Sequence, residues 1–171
     1  MRRSAIICLI FVFVILLSSC VNEKQDYISG ILHYFNENFL FTVSVNDYKF
    51  DISADGNGKI CYTYPDTIEG TTVELSERGV YKIQYDGLAF DIDESRVRAV
   101  LLFAKAIKSI SSQTVTTPYI NPLGNDIYEA TFGNAEFDIT LIYTLSDNSL
   151  SGIRIADISG RIYEYAVEVK K

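Results

Sequence analysis

From Phe39 to the C-terminus the chain alternates apolar and polar residues with a period of two, and clusters of turn residues break the alternation at short intervals. That period places every second side chain on one face of a strand, so each run buries one face and wets the other. Phe39, Phe41, Val43 and Val45 share a face, and Asn46-Asp47 turns the chain into Tyr48, Phe50 and Ile52, which alternate with Lys49 and Asp51. Asp55-Gly56-Asn57-Gly58 leads into Ile60, Tyr62 and Tyr64, and Pro65 closes that strand. Runs from Thr71 to Ser76 and from Val80 to Tyr85 flank Glu77-Arg78-Gly79, and Asp86-Gly87 turns the chain into Leu88 to Ile92. Strands resume at Asp126 to Phe132, Phe137 to Tyr143, Leu150 to Ala156 and Tyr163 to Val169, again joined by short turns.

Two segments depart from this period. Asp26 to Asn36 carries Tyr27, Ile28, Ile31, Leu32 and Phe35 at helical spacing, with Gly30 weakening it. A longer helix is predicted over residues 93–110, where Asp93 serves as a cap, Glu94 suits the first turn, and Val97, Val100, Leu101, Ala104, Ile107 and Ile110 form a stripe. Leu102, Phe103 and Ala106 widen that stripe beyond what a helix lying on a surface needs, which implies a concave seat. Ser111 to Gly124, with Pro118 and Pro122, reads as a long loop or irregular lid. The expected architecture is α+β: a large curved antiparallel meander of about ten strands, wet on one side, forming a half-barrel wrapped around the helix of residues 93–110.

The first twenty residues are of another kind. Arg2 and Arg3 precede an apolar run from Ser4 to Leu17, too short for the roughly 20 residues of a membrane span, and Leu17-Ser18-Ser19-Cys20 ends it. That ending resembles the lipobox of bacterial lipoproteins. The resemblance implies cleavage before Cys20 and a thioether from its thiol to diacylglycerol, against the alternative of an ordinary secretory signal with a chance cysteine. Residues 1–19 are then the signal, residues 20–26 a short tether and residues 27–171 one domain. More than one acyl chain makes anchoring stable, so the expected location is the extracytoplasmic face of a membrane, held through Cys20. Val21, at the second mature position, carries no aspartate of the kind associated with inner-membrane retention in that family.

Composition narrows the partners. Removing the signal leaves 13 basic residues against 22 acidic ones, which gives no electrostatic reason to bind nucleic acid or an anionic surface. Cys8 leaves with the signal and Cys20 is lipidated, so Cys61 remains alone; it is a small strand residue or a reactive thiol. Catalytic signals are sparse, and no enzyme, cofactor or metal is expected. His33 is the only histidine, no nucleophile elbow occurs, and Asp51 to Gly56 departs from a calcium loop because Tyr62 stands at its twelfth position. Asp51, Glu136, Asp138, Glu164 and Glu168 fall on polar strand faces, where carboxylates are solvated.

The order of three strands, Pro65, Gly70, strands, helix, long loop and four strands resembles the LolA/LolB-like lipoprotein carriers, in particular the small Gram-positive lipoproteins of that type. It covers most of residues 37–171 and rests on order and patterning. The resemblance implies a hydrophobic pocket between sheet and helix, with Tyr62, Tyr64, Tyr81, Ile83, Tyr85, Phe137, Leu141, Tyr163 and Tyr165 set against Leu101, Phe103 and Ala104. The other reading of these rows is ordinary core. Two functions follow: a tethered, non-enzymatic module for a lipid, acyl chain or other apolar molecule, and a structural or protein-interaction lipoprotein with a filled core. Neither names a protein partner.

Overall fold

The computed structural model describes residues 29–74, 81–92, 97–147 and 149–171. The expected signal, Cys20, the tether, Tyr27, Ile28, the turn at 77–79 and the capping pair Asp93 and Glu94 lie outside the described residues. Residues 29–32 are helical (α1). The strands are β1 (Leu40–Val45), β2 (Tyr48–Ser53), β3 (Lys59–Tyr64), β4 (Thr72–Glu74), β5 (Tyr81–Tyr85) and β6 (Leu88–Ile92). Helix α2 (Arg98–Ser111) follows, then β7 (Tyr119–Pro122), β8 (Ile127–Gly133), β9 (Phe137–Thr144), β10 (Ser149–Asp157) and β11 (Ile162–Lys170).

All eleven strands belong to one antiparallel sheet in the order β6-β5-β4-β3-β2-β1-β11-β10-β9-β8-β7. This corrects the half-barrel meander wrapped around its helix. Strands adjacent in sequence do pair, but α2 stands between β6 and β7, and these two form the opposite free edges. The sheet is therefore open. Its middle is closed by β1 against β11, with Phe41 opposite Val169, Val43 opposite Val167 and Ser44 opposite Ala166.

The width of the apolar stripe on α2 misleads because the stripe meets one layer only. Val100, Leu101, Phe103, Ala104, Ala106, Ile107 and Ile110 are buried, whereas Arg98 and Lys108 are exposed and Leu102, Lys105 and Ser109 half-buried. The helix lies on a face with its polar side outward. It begins at Arg98 behind Val97, which supplies no side-chain cap. The expected lid is also corrected in part. Tyr119–Pro122 pairs with β8 as an edge strand, and the Thr116 N–H extends the pairing by donating to the Gly133 carbonyl at 2.9 Å. Two prolines obscure this strand in the sequence. Pro122 is tolerated because an edge strand leaves one row of backbone groups unpaired.

One face of the sheet carries the core. An aromatic chain crosses its centre: Phe35 meets Phe41 edge-on at 5.4 Å, and Phe103 meets Phe41, Phe50 and Tyr165 at 6.5, 5.8 and 4.9 Å. The Tyr165 hydroxyl donates to the Ala99 carbonyl at 2.7 Å, so β11 holds the first turn of α2 by hydrogen bond as well as by packing. The opposite face is polar, as the alternation implies. There Thr42 donates to Asp51 at 2.7 Å, Thr131 and Thr140 share a hydrogen bond, and Arg154 bridges Glu129 and Glu164 at 3.3 and 3.2 Å.

The β2–β3 turn presses on the C-terminal half of α2. Gly56 is buried with φ near +75°, and a Cβ there would lie 2.6 Å from the Lys108 nitrogen and 2.8 Å from the Ala104 carbonyl oxygen. Gly58 has φ near +86° with open space around it. Gly56→Ala should therefore cost about 2–5 kcal/mol, the left-handed strain plus the backbone clash, and Gly58→Ala only about 1–2 kcal/mol of strain. Phe103→Ala should cost about 3–5 kcal/mol by opening the aromatic centre. Chemical denaturation of the three variants checks this order; equal losses at Gly56 and Gly58 would contradict the docking of the turn on α2.

Candidate functional site

Five pieces of chain, the first turn of α2 among them, meet at one end of the sheet. The β1–β2 turn brings Val45, Asn46 and Tyr48, and β3 with the loop after it brings Tyr62, Ile68 and Thr71. Ile83 enters from β5, Val97 to Val100 from the start of α2, and Arg161 and Tyr163 from the start of β11. They line a half-open cavity of about 420 Å³, inside the roughly 300–1,000 Å³ typical of small-molecule sites. Two other hollows among the described residues are larger and more open, about 580 Å³ along Lys105, Lys108 and Ser112 and about 510 Å³ along Phe39, Leu150, Val169 and Lys171.

Local backbone chemistry sets the cavity walls. Asn46 turns the chain with φ near +50°, a conformation that asparagine tolerates better than most residues. The backbone of Tyr62 is tied to the segment before β4: its N–H donates to the Thr71 carbonyl at 2.8 Å, and its own carbonyl accepts from Gly70 at 2.9 Å. Its ring meets Tyr48 edge-on at 6.2 Å and Phe50 at the same separation. Burial pushes the Tyr62 hydroxyl up to about 12, with Tyr48 adding to the shift, so it stays a neutral donor across the physiological range.

The basic side of the cavity is organised by Asp157. This carboxylate is almost fully buried and pairs with Arg98 at 3.0 Å. It also accepts the Ser159 hydroxyl and the N–H groups of Ser159 and Arg161 at 2.9 and 3.1 Å, which shape the β10–β11 turn. The Ser159 hydroxyl is the foremost cause of a pKa lowered below the ordinary 3.8; the two N–H groups and Arg98 add to it against the opposing effect of burial. Asp157 thus offsets a cation placed at the unfavourable N-terminal end of a helix.

The residues singled out from the sequence divide into three groups. Tyr62, Ile83 and Tyr163 line the cavity. Tyr81, Leu101, Phe103, Ala104, Phe137, Leu141 and Tyr165 are buried in the packed core. Tyr64 and Tyr85 are about half exposed. Val45, Tyr48, Ile68, Arg98 and Arg161 were missed. The turns at Asn46 and at Ser159-Gly160 mark strand ends in the sequence, but alternation does not say which end the start of α2 will cover.

Other sequence candidates lie apart from the cavity. His33 is exposed and packs on Tyr34 and Phe39, while Cys61 sits half-buried on β3 opposite Asp51 and Thr72; no hydrogen bond or ring contact joins them. Glu136, Asp138, Glu164 and Glu168 are exposed, and Asp51 is half-buried, bonded to Thr42. Asp55 accepts from the Asn57 N–H at 2.9 Å and from the Ser53 hydroxyl at 2.7 Å, the bonds of a turn. Among the described residues no helix is long and apolar enough to cross a membrane. No protein-family model and no curated protein matches the sequence.

A carboxylate with a lowered folded pKa contributes stability that is whole above its unfolded value and is lost as pH falls through the folded value. For Asp157 the loss begins near pH 5 and continues below 3.8. Denaturation at stepped pH should show Asp157→Asn less stable than the parent at pH 7, with the difference shrinking below about pH 4. A difference that stays constant down to pH 2 would contradict the role given to this carboxylate.

Proposed function

We propose that the protein is a lipid-anchored, extracytoplasmic module that binds an apolar or lipid molecule without turning it over. The observation that carries this reading is the cavity of about 420 Å³, whose body is built from Val45, Tyr62, Ile83, Val97 and Val100. Its volume falls within the range of small-molecule sites, and its apolar residues converge from strands and helix on one place. The anchor is supported by the order Arg2-Arg3, apolar run, Leu17-Ser18-Ser19-Cys20 at the start of the sequence.

One observation favours a second reading, a surface for another protein. Tyr85, Leu88 and Phe90 on the β5–β6 hairpin are 46, 60 and 55 % exposed, an apolar group at the sheet edge. The two readings separate in native mass spectrometry of the full chain. A bound lipid adds a fatty-acid or phospholipid mass that disappears on denaturation, whereas an anchor on Cys20 survives it. Ile83→Trp, which fills the cavity, should abolish the dissociable mass while leaving the anchor mass. A folded protein that carries no dissociable mass, with or without added lipid, would overturn the binding-module reading in favour of the interaction surface.

A further inference from the structure

The charge at the rim of the cavity is opposite to the charge of the chain. The whole sequence carries a formal net charge of −7, yet among the described residues the cavity is lined by Arg98 and Arg161 and by no carboxylate. The two arginines are not equivalent. Arg98 is committed to Asp157 at 3.0 Å, while the Arg161 guanidinium donates to the Tyr163 phenolic oxygen at 3.5 Å and has no carboxylate within ion-pair distance among the described residues. Asp157 engages Arg161 through its backbone N–H instead, which holds the residue beside the opening and leaves the fork of the side chain available.

On the reading of the cavity as a lipid site, we infer that its ligand is a single-chain amphiphile with a carboxylate head, of the long-chain fatty acid class. The chain occupies the apolar volume bounded by Tyr62, Ile83 and Val100, and the carboxylate meets Arg161. The volume stands at the small end of the range for ligand sites, which suits one chain rather than two. A planar guanidinium matches a carboxylate with two parallel N–H donors, and Arg is weakly hydrated enough to do so beside an apolar wall. The Tyr62 hydroxyl, which stays protonated, is a further donor in the same cavity.

The test is photolabelling of the full chain in amphipol, with a diazirine-bearing hexadecanoic acid and the alcohol of the same length and diazirine position. Labelled peptides are mapped by mass spectrometry, so partition into the amphipol or contact with the N-terminal segment is scored apart from the cavity. The expected result is that the acid labels peptides containing Val45, Tyr62 or Val100 at about tenfold lower concentration than the alcohol, the size of one charge-assisted contact. Excess unlabelled hexadecanoic acid removes that signal. Arg161→Gln should erase the preference by bringing cavity labelling by the acid down to the level of the alcohol. Equal labelling of the cavity by acid and alcohol in the parent would overturn the carboxylate head while leaving the lipid site standing. A preference that survives Arg161→Gln would overturn the role of Arg161. Cavity peptides labelled by neither probe would overturn the lipid site itself.

Discussion

The antiparallel pairing of β1 with β11 is the contact on which the rest of the sheet depends. It joins six strands that precede α2 to five that follow it; in sequence order the first six run outward from this seam and the last five run back to it from the opposite edge. The chain must therefore travel from one free edge to the other between β6 and β7, and α2 lies in that connection. A helix used in this way lies on the sheet and covers its centre, where Leu101, Phe103 and Ala104 are buried. It leaves both ends of the sheet less covered.

The cavity is a consequence of that economy. At the start of α2, Val97 and Arg98 line a space shared with residues of β1, β3, β5 and the start of β11. Tyrosines occupy the transition from packed core to solvent. Tyr165 is buried with its hydroxyl on Ala99, Tyr62 is buried at the cavity wall, and Tyr48 and Tyr163 stand nearer the rim. The sequence carries twelve tyrosines and no tryptophan, and this graded use of a ring with a polar tip explains part of that choice. Asp157 adds the fixed electrostatic element, binding the start of the helix to the β10–β11 turn on which Arg161 is mounted.

Ten of the strands were legible in the sequence because their signal is local. Phe41, Val43, Phe50 and Ile52 are buried while Thr42, Lys49 and Asp51 are not, as period two requires. The edge strand at Tyr119 was hidden by Pro118 and Pro122, since proline argues against an interior strand and says little about an edge. The pairing of β1 with β11 could not be read at all, because 170 and 40 are distant in sequence and alternation is the same whichever strand sits alongside. Without it, a one-sided meander curling around its helix was the natural extrapolation. The breadth of the stripe on α2 encouraged that error, for Ala106 and Phe103 widen a face that one layer suffices to bury. The cavity was legible only at Tyr62, Ile83 and Tyr163, whose strands point inward; its arginines come from a turn and a helix start, which acquire their neighbours only through long-range topology.

Native-state amide hydrogen exchange of the intact chain tests the open, seam-centred sheet most directly. Exchange of strand amides reports both pairing and the free energy of local opening. The account expects the slowest exchange in β1 and β11, whose inner hydrogen bonds are flanked on both sides, and the fastest in β6 and β7, each paired along one edge only. Protection in β6 and β7 equal to that in β1 and β11 would contradict it, because the two edges would then have to be paired or covered and the sheet could not be open.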